Sequence, residues 1–164
     1  MALDDDIAFL AKANLFRGFT RDQLRLLAFG AERERVRAGD FLFRRDDDAN
    51  GGYLVAAGQI NLVAERPEGE FILDRCHEGT LIGEAAMIAP GKRVADAIAK
   101  VDSEVILIPR SLFRRMLAEY PQSAGVLQQE ILQSVRRLLL RLEKLQKKLD
   151  AIDPLERVEP PQQS

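Results

Sequence analysis

The chain has 164 residues, 46% hydrophobic and 30% charged, the composition of one ordinary soluble domain with enough length to bury a core. With 24 basic against 26 acidic side chains and a formal net charge of −2, there is no overall positive field to recruit nucleic acid or an anionic membrane. The acidic N-terminus, MALDDDIAFL, is unlike a secretory signal, and no apolar run approaches the roughly 18 residues of a membrane span, so a cytoplasmic protein with no membrane association is expected.

The first predicted helix starts on Asp4, Asp5 and Asp6, carries Ile7, Leu10 and Ala11 at helical spacing, and breaks at Leu15-Phe16-Arg17-Gly18-Phe19. Thr20 followed three residues later by Gln23 is a capping box, and Leu24, Leu27 and Ala28 form the apolar stripe of the helix it opens. From about Glu32 to Pro109 the period shortens. Residues 41–43, 53–55, 60–63, 71–73 and 105–108 read as brief strands, separated by turns at Gly39-Asp40, residues 46–52, Gly58, residues 66–69 and Gly79. Frequent short strands with glycine turns predict an antiparallel β-roll. Within it, residues 83–93 are alanine-rich, lack alternation and pass through Pro90-Gly91, which predicts a short helix.

After Pro109 the sequence predicts a helix from Ser111 through Glu119, a break at Tyr120-Pro121 and a long helix over about 122–152. Its residues Ile131, Val135, Leu138, Leu142, Leu145, Leu149 and Ile152 step by 4, 3, 4, 3, 4 and 3, with Val135, Leu142 and Leu149 at heptad position a and Leu132 and Leu139 at e. That stripe is expected to be a coiled-coil seam joining a homodimer through residues 131–152, with core packing against the roll as the other use of the same leucines. Residues 153–164, with Pro154, Pro160 and Pro161, are expected to be a disordered tail. The expected fold class is α+β, with residues 1–152 forming one domain.

The run Gly83-Glu84-Ala85-Ala86, followed by Arg93-Val94-Ala95 and framed by Gly39-Asp40, Phe43, Tyr53, Gly58 and Gly79, resembles the phosphate-binding cassette and β-roll of cyclic nucleotide-binding domains. Such domains occur in catabolite-activator-type regulators and in the regulatory subunits of cyclic-nucleotide-dependent kinases. The resemblance covers about residues 15–150. It implies a double-stranded β-helix, jelly-roll-like, with N-terminal helices, a short phosphate-binding helix and a long C-terminal helix. It also implies a sensor domain, not an enzyme, whose ligand is cyclic AMP, whose output is a movement of the C-terminal helix, and which has no other cofactor and no metal.

The chemistry of these residues agrees with that use. A cyclic phosphate is a compact monoanion, and Arg93 can give it two parallel charge-assisted hydrogen bonds that lysine cannot mimic. A helix start presents free amides, and Gly83 with the small Ala85 and Ala86 permits close approach. Glu84 is expected to accept the ribose 2′-hydroxyl, Val94 and Ala95 complete the cassette, and Ser134 or Gln133 on the long helix either meets N6 of adenine or belongs to an ordinary polar face. Without the resemblance, the same residues read as a turn at Gly83, a favourable helix-start charge at Glu84 and a solvated Arg93 or an Arg93–Glu84 pair.

Four departures from the family pattern stand out. Val94 removes a hydroxyl beside the arginine, which disfavours cyclic GMP, and Asp96 replaces a frequent threonine on what alternation makes the opposite face. Asp46 stands at the glycine of a Gly-Asp turn, and Thr80 replaces a common aspartate. The alternative function is therefore a ligand-free dimerisation or protein-interaction module with this fold. No helix-turn-helix pattern follows the long helix, so direct DNA binding by this chain is not expected, and signalling would pass through an unidentified effector protein. Cys76 and His77, adjacent on a strand, point to opposite faces and cannot share a metal; with only one cysteine and one histidine in the chain, no four-ligand zinc site, internal disulfide or catalytic constellation is expected.

Overall fold

The computed structural model describes residues 2–151, which run from helices through a roll of strands and back to helices. Helix α1 spans Ala2–Ala11 and α2 spans Arg21–Gly30. The capping box forms as expected: Thr20 Oγ1 accepts from the Gln23 amide at 3.3 Å and Gln23 Oε1 accepts from the Thr20 amide at 2.9 Å.

Ten strands follow: β1 (Glu32–Val36), β2 (Phe41–Phe43), β3 (Asp48–Ala49), β4 (Gly51–Ala57), β5 (Gln59–Arg66), β6 (Gly69–His77), β7 (Leu81–Ile82), β8 (Gly91–Lys92), β9 (Asp96–Ala99) and β10 (Ser103–Pro109). Two four-stranded antiparallel sheets, in the order β1-β10-β4-β7 and β2-β9-β5-β6, enclose the roll, and β3 pairs with β8 beside them. The antiparallel β-roll flanked by helices is the predicted fold.

Strands β4 and β10 are buried on both faces because the roll has filling on one side and helices on the other. Tyr53, Val55, Val105 and Leu107 point into the roll with Ile60, Leu62 and Ile82. Their neighbours Leu54, Ala56, Ile106 and Ile108 pack on the other face with Leu10, Phe16, Leu27 and Phe113. Side-chain alternation on single strands thus builds two cores back to back.

Asp46 has φ +72, the left-handed region in which an L side chain is strained and glycine is not. This is the position read in the sequence as a glycine of a Gly-Asp turn, and the backbone has kept the glycine conformation. Asp46→Gly is expected to stabilise the fold by about 0.5–1 kcal/mol, read as an upward shift of the denaturant midpoint at unchanged m-value.

Helix α3 spans Arg110–Glu119 and α4 spans Ala124–Asp150. The first part of α4's heptad stripe turns inward. Ile131 is fully buried in the helical core, Leu138 packs against the roll core, and Arg141 pairs with Asp74 of β6 at 2.8 Å. Ile131 and Leu138 thus take the second use read for these residues, packing in their own domain, while Leu132, Leu139 and Leu140 of α4 are about half exposed. Ile152 and the predicted tail 153–164 lie outside the described residues. No helix among the described residues is long and apolar enough to cross a membrane.

Candidate ligand-binding site

A cavity of about 700 Å³ opens between the roll and α4, a size within the range of small-molecule sites. The predicted cassette residues Gly83, Glu84, Ala85, Ala86, Arg93, Val94 and Ala95, together with Ser134, all line it.

Gly83 sits at φ +66, ψ +35, and this left-handed turn ends β7 and starts the next segment. That segment is the expected short helix, a single 3-10 turn over Glu84–Met87. Four residues align too few peptide dipoles to act as a helix end. The Ala86 amide already donates to the Gly83 carbonyl at 3.1 Å. The burden of binding an anion therefore shifts to Arg93.

Arg93 is buried, 6% exposed. Its Nη2 donates to the Gly51 carbonyl at 2.8 Å, and its guanidinium carbon lies 4.4 Å from the Phe43 ring centre and 5.4 Å from that of Tyr53. Its Nε is buried without a hydrogen-bond partner, and none of the ion pairs among the described residues involves it. Burial pushes its pKa below the ordinary arginine value, partly countered by Tyr53 and Asp47. The reading of Arg93 as a solvated cation or as a partner of Glu84 is thereby set aside: it is a buried guanidinium at the cavity wall, resting against the stacked Phe43 and Tyr53 rings.

Glu84 faces the same cavity. Burial raises its carboxyl pKa, opposed by a hydrogen bond from Ser134 and by the charge of Arg137. The Ser134 hydroxyl donates to Glu84 Oε1, a contact that neither use read for Ser134 in the sequence, the adenine N6 or an ordinary polar face, includes. Asp96 stays out of the cavity as alternation indicated, its carboxylate accepting from the Arg45 amide at 2.7 Å. Val94 is at the rim, 46% exposed. Cys76 is buried in the cavity wall with its thiol pushed up to about 12, chiefly by burial, and is unreactive; His77 is exposed, so the two do face opposite ways.

Sequence reasoning missed the α4 and β6 groups at the cavity mouth, Arg137, Arg141 and Asp74. Arg137 and Arg141 are four residues apart, and that spacing was the available signal. Phe43 and Tyr53 were read as packing aromatics, and their rings are where Arg93 lies.

The chain matches the family model described as "Cyclic nucleotide-binding domain" over residues 33–120. It is similar to a structure of a cyclic nucleotide-binding-like protein from Brucella abortus, with 47% identity and a TM-score of 0.63 over 70% of this chain and 99% of that one. The regulatory domain of Toxoplasma gondii PKA crystallised with cAMP shares the fold at 19% identity and a TM-score of 0.64, over 70% of this chain and 44% of that one. Among curated proteins it resembles Lysophospholipase nte1 of Aspergillus fumigatus, 29% identical over 136 residues, which is 82% of this chain and 9% of that protein. The chain thus spans under a tenth of the length of that relative.

Proposed function

The chain belongs to the cyclic nucleotide-binding domain family, and from that premise we propose that it is a sensor module whose ligand is cyclic AMP and whose output is a rearrangement of α4. The observation that carries this reading is Arg93. A guanidinium buried with an unpaired Nε and no carboxylate partner among the described residues is expensive to keep, and a cyclic phosphate supplies the missing anion and acceptors together.

In this reading Arg93 clamps the exocyclic phosphate oxygens, Gly83, Ala85 and Ala86 leave room for them, and Glu84 accepts the ribose 2′-hydroxyl. Val94 and Ala95 close the wall without a hydroxyl, which favours adenine over guanine. Because Ser134, Arg137 and Leu138 of α4 line the same cavity, an occupant that contacts α4 differently in two positions shifts the balance between them. The exposed Leu132, Leu139 and Leu140 are then the surface through which two copies pair, and the downstream partner is a protein. We assign regulation and not catalysis to the module, working in the cytoplasm.

The test is calorimetric titration with cyclic AMP and cyclic GMP on protein freed of carried-over nucleotide, with a thermal melt and light scattering on the same samples. Saturation at about 100 times the dissociation constant adds roughly 2.7 kcal/mol of stability. Heat and a raised melt with cyclic AMP, in particles of dimer mass, are the expected result. Absence of heat with both nucleotides overturns the sensor reading in favour of the ligand-free interaction module.

A further inference from the structure

Among the described residues, Ser134 is the α4 side chain that hydrogen-bonds to the cassette, beside Arg137, whose charge acts on the same Glu84 carboxyl. The Ser134 hydroxyl has a single proton, and that proton is committed to Glu84 Oε1. Glu84 follows Gly83, whose left-handed backbone leads the 3-10 turn. The glutamate side chain has rotatable bonds of its own, and burial, with a smaller contribution from the charge of Asp74, disfavours its ionised form. Two things therefore have to be supplied for it to serve as a hydroxyl acceptor: a fixed orientation and support for the ionised form. A donor from α4 supplies both. A carboxylate offers about four acceptor positions over two oxygens, of which Ser134 takes one, leaving room for a second hydroxyl.

We propose that Ser134 is a positioning residue for ribose recognition: it acts through Glu84, holding the carboxylate that accepts the 2′-hydroxyl, and does not act by touching the base. The inference rests on the nucleotide-sensor reading and adds to it a physical link. Arg141, seven residues further along α4, pairs with Asp74 of β6, so the same helix is tied to the roll at two points of the cavity lining. The preference for a ribonucleotide over its deoxy analogue then depends on α4 being docked, and undocking the helix releases the carboxylate.

The experiment compares cyclic AMP with 2′-deoxy cyclic AMP by calorimetry on the wild-type chain, Ser134→Ala, Ser134→Thr and Ser134→Cys, each with a melt. A hydrogen bond to a charged acceptor predicts that the wild type favours the ribonucleotide by about tenfold. Ser134→Ala is expected to bring that ratio to within about threefold by weakening cyclic AMP alone. Threonine keeps the hydroxyl and restores the ratio, and cysteine, a weak donor of similar size, falls between. Equal weakening of both ligands in Ser134→Ala assigns the residue to the base or to general stability and overturns the proposal, as does an unchanged ratio. A wild-type chain that binds both ligands equally removes Glu84 from ribose recognition and the proposal with it. A wild-type chain that binds neither overturns the sensor reading itself, which separates that failure from the failure of Ser134's role.

Discussion

Arg93→Ala is expected to lower the affinity for cyclic AMP by at least about 100-fold while the β-roll stays folded. The size follows from the kind of bond lost. Two charge-assisted hydrogen bonds, each worth about 1.5–3 kcal/mol, would vanish together, along with a cation buried in the cavity wall. That the fold survives follows from what the guanidinium does in the absence of an anion. It is buried, one of its nitrogens has no partner, and its charge is disfavoured by burial. Its removal relieves those penalties and gives up one bond to the Gly51 carbonyl and the contacts with Phe43 and Tyr53. These opposing effects leave a stability change of about 1 kcal/mol or less in either direction. Arg93→Lys should not rescue binding, because an ammonium is a point charge without the planar fork. Calorimetry paired with a melt separates the two quantities; unchanged affinity in a folded Arg93→Ala removes Arg93 from the site.

How much of this was legible in the sequence varied with the physics of each element. The capping box at Thr20 and Gln23 was readable because both bonds are local and depend on a fixed spacing. Strands β4, β5 and β10 were readable because their apolar residues are large and contiguous. Strand β1, Glu32–Val36, was not: four of its five residues are charged, and it is a strand only because it pairs along its length with β10, while Arg33 finds Asp6 and Glu104. Pairing with a distant strand leaves no mark in the local pattern. Strand β9 was missed for a different reason. Its inward side chains are Ala97 and Ala99, fully buried yet small, and weak as a hydrophobic signal.

The site divides in the same way. Gly83, Glu84 and Arg93 were found through the family resemblance that their motif carries, and the structure places all three at one cavity. The Ser134–Glu84 bond and the contact of Arg93 with the stacked Phe43 and Tyr53 rings join residues far apart in the chain, so only the folded arrangement reveals them. The heptad was correctly read as an apolar stripe, but its owner was not determined by period. Ile131 and Leu138 face the domain because α4 lies back against the roll, and a 3.5-residue repeat is blind to which surface covers it.

Gly83→Ala should damage binding and stability together, and Gly39→Ala should damage stability alone. Both glycines have positive φ, +66 at Gly83 and +87 at Gly39, so alanine brings backbone strain of about 1–2 kcal/mol at either site. The surroundings differ. A Cβ at Gly39 meets nothing within 4 Å, whereas at Gly83 it runs into Arg93 Nη1. A side-chain tip can usually swing aside, but this one is held by the Gly51 carbonyl and rests against two stacked aromatic rings. Making room for the new methyl group means moving the guanidinium off its axis, and bidentate recognition of a phosphate tolerates little misplacement. Gly83→Ala is therefore expected to lower the melt as Gly39→Ala does and, in addition, to weaken cyclic AMP by at least about tenfold, the loss of one well-formed charged hydrogen bond. Measured side by side, equal affinities in the two variants would mean that the Gly83 turn serves only the backbone; a loss confined to Gly83→Ala ties the glycine's missing side chain to the arginine that binds.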